Sequence, residues 1–174
     1  MVLFLIASGC ARQPNPTQAP PTATPSLPPT TTQMVNGTVQ PGPAKLDSIE
    51  AAQALVPFTL LVPDLPTTPA PLELTEVLWW PEDERGLQAV DLEYRSSEAS
   101  LTLTEIQLPS RMTAPTMSYQ ALRVRGQVAF LISQEEADTK VLLWQEDQRA
   151  IFLSAEGFSV EELVAIAEGL KPVQ

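Results

Sequence analysis

The chain contains no histidine and a single cysteine among its 174 residues. Without histidine it lacks the commonest general base, the usual hydrolytic triads and most zinc sites. A lone cysteine closes no internal disulfide, so any folded part must stand on packing alone. Basic charge is also scarce: ten Lys and Arg face 21 Asp and Glu, a formal net charge of −11. Such a surface repels nucleic acid and anionic head groups, which argues against a nucleic-acid partner. Glycine-rich phosphate loops, cysteine clusters and nucleophile–base pairs are missing too. No cofactor and no metal is therefore expected, and the chain reads as a non-enzyme.

What charge there is lies unevenly. Residues 13–43 carry none, while every acid falls between Asp47 and Glu168, and nine of the 18 prolines sit between Pro14 and Pro43. The sequence thus predicts a Pro/Thr-rich disordered stalk over 10–44 and one globular domain over 45–174. Proline fixes φ and removes a donor, so the stalk favours extended, polyproline-II-like conformations and builds no core. At ~3.1 Å per residue it reaches on the order of 100 Å when extended. The domain is long enough to bury a core, and its 21 acids against nine bases give it a net charge of −12. Asn36, Gly37 and Thr38 spell a glycosylation sequon that reads as chance; Thr30, Thr31 and Thr32 are candidates for O-linked sugars.

Residues 1–9 form a short apolar run ending in Ala7, Ser8 and Gly9, followed by Cys10. Nine residues are too few to span a bilayer as a helix. An apolar core followed by small residues is what a secretion signal needs beside its cut. The pattern resembles the lipobox of bacterial lipoprotein signals. That resemblance implies cleavage after Gly9, palmitate-type acyl chains on Cys10 and a membrane anchor on the extracytoplasmic face. Two or three chains hold durably where one binds only marginally. Ala7 stands where leucine is commonest, and no basic residue precedes the apolar run, so the true start is expected upstream of Met1.

Within the domain both ends read as helices. Asp47 is placed to cap the first, with Glu50 three positions on, Ile49, Ala52 and Val56 along one face, and Pro57 at its end. Ser159 and Glu162 form a capping box for the second, whose stripe is Val160, Leu163, Val164, Ala167 and Leu170, closed by Gly169 and Pro172. Between them the apolar period is two. Val90, Leu92 and Tyr94 alternate with Asp91, Glu93 and Arg95. Leu101 and Leu103 begin a strand whose phase slips before Ile106 and Leu108, as a bulge would cause. Leu122 and Val124 alternate with Arg123 and Arg125, and Gly126 breaks that strand before Val128, Phe130 and Ile132. Residues 141–144 and 151–153 flank a hairpin turn over 146–149. The expected fold class is α+β: a largely antiparallel, curved sheet of about six or seven strands, with an N-terminal and a C-terminal helix packed on one face.

Several pieces carry a further resemblance: Ala54 to Phe58, Leu61 to Pro66, Val141 to Gln145, Ile151 to Ser154 and the capped segment Ser159 to Glu168. Together they resemble an uncharacterised bacterial domain found in extracytoplasmic lipoproteins and at the outer ends of anti-sigma-factor proteins. The glycine expected at the turn after the Trp144 strand is lacking. The resemblance implies no catalytic residues. It implies a fold similar in outline to periplasmic lipoprotein carriers and stress-sensor domains, which bind acyl chains or peptides.

The candidate ligand-binding residues are Trp79 and Trp80. Neighbouring strand residues point to opposite faces, so one belongs in the core and the other is available as a platform; packing of both is the plainer reading. Residues 82–84 and 135–138 are acidic but lack the alternating spacing and central glycine of a calcium loop, so they read as solvated turns. Arg123 and Arg125 are expected on one polar strand face, available to an anionic partner, with pairing to Glu93 or Glu105 the plainer reading. The leading expectation is an envelope-facing binding or sensing module, with a peptide, lipid or envelope protein as partner. The alternatives are a carrier holding acyl chains against the sheet and a hydrolase built on carboxylates such as Glu93 and Glu105.

Overall fold

The computed structural model describes residues 32–35, 38–65, 71–134 and 138–174. Cys10, the signal segment, most of the stalk and Glu135 to Ala137 lie outside the described residues. In chain order the elements are β1 (Thr32–Val35), β2 (Thr38–Pro41), β3 (Ala44–Lys45), α1 (Ile49–Gln53), β4 (Leu61–Val62), β5 (Glu73–Trp80), β6 (Ala89–Arg95) and β7 (Ser100–Gln107). They continue with β8 (Gln120–Val124), β9 (Gln127–Gln134), β10 (Thr139–Glu146), β11 (Arg149–Glu156), α2 (Val160–Glu168) and β12 (Lys171–Pro172).

Eight strands form the main sheet, in the order β3-β5-β6-β7-β11-β10-β9-β8. All its pairings are antiparallel. Two meanders, β5-β6-β7 and β8-β9-β10-β11, are thus joined edge to edge by the β7–β11 pair. The sheet exceeds the expected six or seven strands because β3 was hidden and only the Trp79–Trp80 end of β5 read as strand. In β5 the register against β6 shifts between Leu74 and Glu76, leaving Thr75 as an extra residue. That bulge breaks the two-residue period on which strand recognition depends. Short ribbons β1–β2 and β4–β12 complete the described strands.

The expected slip in β7 is corrected by the structure. The β6–β7 and β7–β11 registers run without a break from Ser100 to Gln107. After Leu101 and Leu103 the next inward position is taken by Glu105, which is 1% exposed. The period never changes; a carboxylate occupies an apolar slot.

Alternation elsewhere sorts the sheet cleanly. Val77, Trp79, Val90, Leu92, Tyr94, Leu101, Leu103, Ile151, Leu153, Leu142, Trp144, Ala129 and Leu131 are buried in one apolar cluster. The same cluster takes Ala52 and Val56 from α1 and its exit, and Leu163, Ile166, Ala167 and Leu170 from α2 and its end. Each fully buried leucine or isoleucine contributes on the order of 1.5–3 kcal/mol, the gain of removing its apolar surface from water. Helix α1 lies against β5, and α2 lies against β8, β10 and β11.

The helix ends follow their capping chemistry. The Ser159 side chain accepts the N–H of Glu162, and the Glu162 carboxylate accepts the N–H of Ser159, a complete capping box. The first helix is capped by Ser48, not by Asp47: the Ser48 hydroxyl accepts the N–H of Ala51 at 3.2 Å. The helix ends at Gln53, before Pro57. Arg125 and Gly126 form the two-residue β8–β9 turn, both at positive φ (51° and 77°), as a hairpin matched to right-handed strand twist requires.

Candidate functional site

Two polar constellations stand out. The first is built around Glu105. Its Oε1 accepts the N–H of Leu61 at 2.6 Å, and its Oε2 faces Arg149 Nη1 at 2.8 Å. Arg149 also donates to the carbonyl of Thr59 and lies over the Phe58 ring, 5.6 Å from its centre. Its Nη2 is 3.7 Å from Glu146 Oε2. Glu146 Oε1 in turn accepts the Trp144 indole N–H at 3.0 Å and Arg125 Nε at 2.6 Å. Arg125 closes the series by donating to the Leu170 carbonyl at 2.8 Å, while its own N–H is held by Glu168 at 2.7 Å.

Charges therefore alternate as Arg125, Glu146, Arg149, Glu105. Burial pushes the Glu105 carboxyl up to about 7, against the pull of the Leu61 N–H and Arg149; the Glu146 charge adds to the push. The Tyr94 hydroxyl is raised to about 12, chiefly by burial, with the Glu105 charge adding to it. A carboxyl near 7 suits a general base. Here, however, both Glu105 oxygens already have partners within the fold, and the cleft of about 860 Å³ beside Phe58, Glu146 and Arg149 is not lined by Glu105. The constellation fastens the 57–62 segment and the end of α2 to the sheet.

This geometry corrects the expected pairing. Arg125 sits in the turn rather than on a strand and pairs with Glu146; Arg123 donates to the Gly126 carbonyl at 3.2 Å. Glu93 pairs with Arg95 at 3.1 Å. Glu93 is on the outward-facing register of β6 and Glu105 on the inward-facing register of β7, so the two carboxylates do not converge. Sequence reasoning missed Arg149, read only as a turn residue. Its signal was a base following the acidic end of β10, two residues from a fully buried strand position.

The second constellation lies on the opposite face of the sheet. Trp79 points inward and is 9% exposed, while Trp80 points outward and is 38% exposed. A cleft of about 460 Å³ opens beside Trp80, lined also by Pro81, Leu87, Ala89, Asp91 and Ile106. The register explains the hollow: Trp80 pairs with Ala89, and Ala89 pairs with Ile106. A small side chain between two large ones leaves a depression on a pleated surface. Asp91 holds the indole by accepting Trp80 Nε1 at 2.7 Å.

The wall of this cleft is the 81–87 loop, and Asp83 organises it. Its Oδ1 accepts the N–H groups of Arg85 and Leu87 at 2.8 and 3.0 Å, and its Oδ2 pairs with Arg85 Nη2 at 2.7 Å. The hydrogen bond from the Leu87 N–H, ahead of the Arg85 contacts, holds the Asp83 carboxyl below its ordinary range. Asp83 thus acts as the internal anchor of a turn. Among the described residues no group of three or more acidic or cysteine side chains is placed to hold a metal. No helix among them is long and apolar enough to cross a membrane. Comparison with family models, with curated proteins and with solved structures finds no match.

Proposed function

We propose that the chain is a lipid-anchored extracytoplasmic module of non-enzymatic recognition, which offers the Trp80 cleft to a ligand in the cell envelope. The observation that carries this reading is the cleft itself: a partly exposed tryptophan, held in place by Asp91, beside an apolar hollow. Ligand sites are commonly apolar concavities with a few fixed polar groups. In this reading an anchor at Cys10 and the stalk set the place of action, in keeping with the resemblance to the lipoprotein and anti-sigma-factor domain. In this reading both helices cover the inner face of a curved sheet, which leaves the outer face to the partner. Acyl-chain carriage is less favoured, because the inner face is filled by Leu101, Leu103, Leu142, Trp144 and Leu163, all fully buried. A carboxylate hydrolase is disfavoured by the separation of Glu93 from Glu105.

The test is mass spectrometry of the full chain purified from its own membrane, beside the Trp80→Ala variant. Diacylglyceryl modification of Cys10 and a co-purifying peptide or protein that is lost from the variant are the expected results. An unmodified Cys10 removes the anchor. A partner retained at full yield by Trp80→Ala removes the cleft.

A further inference from the structure

We propose that the Trp80 cleft receives a basic side chain of a partner polypeptide, with the aliphatic stem on the indole and the cationic head at Asp91. This rests on the recognition reading above and names the chemistry of its ligand. The first support is the accounting of charge around the cleft. Two carboxylates and one base line it, Asp83, Asp91 and Arg85. Asp83 is matched by Arg85 and by two backbone N–H groups. Asp91 has no basic partner among the described residues; its Oδ2 accepts the neutral indole N–H. One carboxylate at the mouth of an apolar hollow is thus left without a cation.

The second support is shape. Leu87, Ala89 and Ile106 give the hollow an apolar lining, and the Trp80 ring forms one side. Lysine and arginine carry an apolar stem that covers such surface while the head stays polar. A cation near an indole face is attracted by the ring quadrupole. Asp91 adds a direct charge partner, in register beside Leu78 on β5 and Thr104 on β7. The net charge of −11 favours approach of a basic segment and opposes an acidic one.

The experiment is a two-dimensional NMR titration of the isotope-labelled full chain, following the Trp80 indole N–H. The probes are end-blocked Gly-Gly-Lys-Gly-Gly and the same peptide with norleucine, which keeps the stem and drops the charge. The lysine peptide is expected to shift the Trp80 indole and the Asp91 amide, with about tenfold weaker binding for norleucine. Asp91→Asn keeps an acceptor for the indole and removes the charge, and is expected to weaken the lysine peptide by about threefold, the share of the ion pair alone. Equal binding of both peptides at Trp80 overturns the cation assignment while leaving the cleft a recognition site. A Trp80 resonance that answers to neither peptide also overturns it, and co-purification with Trp80→Ala then decides the cleft on its own.

Discussion

Arg149 Nη1 stands 2.8 Å from Glu105 Oε2, joining the buried carboxylate of β7 to the first residue of β11. The pair sits where the sheet meets the segment between α1 and β4. Through Leu61 N–H on one side and the Thr59 carbonyl on the other, it fixes the path of that segment. Removing Arg149 leaves the Glu105 carboxyl buried without its charge partner, which costs more than the pair itself contributes, whereas Arg149 without Glu105 still has the Thr59 carbonyl and Glu146. The Trp80 cleft lies elsewhere, on the far face of the same strands. The pair and the cleft can thus be altered separately.

The Glu105 carboxyl gives stability a definite dependence on pH. Its native-state value is raised from 4.5 to about 7, chiefly by burial, so the folded chain holds this proton more tightly than the unfolded one. The contribution is fully present below about 4.5 and is lost as pH rises through about 7, a span on the order of 3 kcal/mol. Asp83, held low first by the Leu87 N–H, and Glu162, held low first by the Ser159 N–H, act in the opposite sense, losing stability as pH falls. Urea denaturation of the wild type is expected to show a midpoint that declines between mildly acid and neutral pH. Glu105→Gln is expected to flatten that decline, and an unchanged slope in the variant would refute the assignment.

The sequence made the alternating strands and the capped helix legible because their local chemistry is complete within a few residues. Val90, Leu92 and Tyr94 declare β6, and Ser159 with Glu162 declares the start of α2. What stayed hidden depends on partners far along the chain. Glu105 broke the apolar period of β7 and looked like a slip, because its compensation by Leu61 and Arg149 comes from 44 residues away on either side. The bulge at Thr75 concealed the start of β5, ahead of its Trp79–Trp80 end, for the same reason: its register belongs to β6. The cleft beside Trp80 was half legible. A Trp-Trp pair on a strand must divide between two faces, but the hollow needs Ala89 and Ile106 from two other strands.

The two tryptophans of the inner face are expected to differ on replacement by phenylalanine. Trp144 Nε1 donates to Glu146 at 3.0 Å, whereas buried Trp79 Nε1 has no hydrogen-bond partner among the described residues. Trp144→Phe removes a donor from a charged acceptor; Trp79→Phe removes a donor that was left unmade. Both lose ring volume, so their difference isolates the polar contribution. Trp144→Phe should cost about 1–3 kcal/mol more than Trp79→Phe. Equal losses in chemical denaturation would mean that Trp79 finds a polar partner in solution.

Ser159→Ala tests the capping box at the start of α2. The substitution leaves the Glu162 N–H without its side-chain acceptor and frees the Glu162 carboxylate from the Ser159 hydroxyl. A loss of about 1 kcal/mol is expected, within the range for such caps. Because α2 lies against β8, β10 and β11, hydrogen exchange of amides in those strands should quicken with the loss. Exchange confined to the helix would show that α2 docks independently of its cap.

Of the three glycines at positive φ among the described residues, Gly126 and Gly157 are constrained for different reasons, and alanine separates them. Gly126 has φ +77° with nothing within 4 Å of an added Cβ. Gly157 has φ +79°, and an added Cβ there would meet the Glu98 carbonyl oxygen at 2.7 Å and the Ala99 Cβ at 3.2 Å. Gly126→Ala therefore carries only the left-handed backbone cost, about 1–2 kcal/mol. Gly157→Ala carries a comparable cost and must also displace backbone, since the Glu98 carbonyl is not the end of a flexible side chain. That carbonyl belongs to the turn joining β6 to β7, where the Ser96 N–H bonds the Ala99 carbonyl at 2.9 Å, so the strain falls on the middle of the sheet. Thermal denaturation should place Gly157→Ala clearly below Gly126→Ala in midpoint. The reverse order would show that the close approach of Gly157 to Glu98 is relieved at little cost.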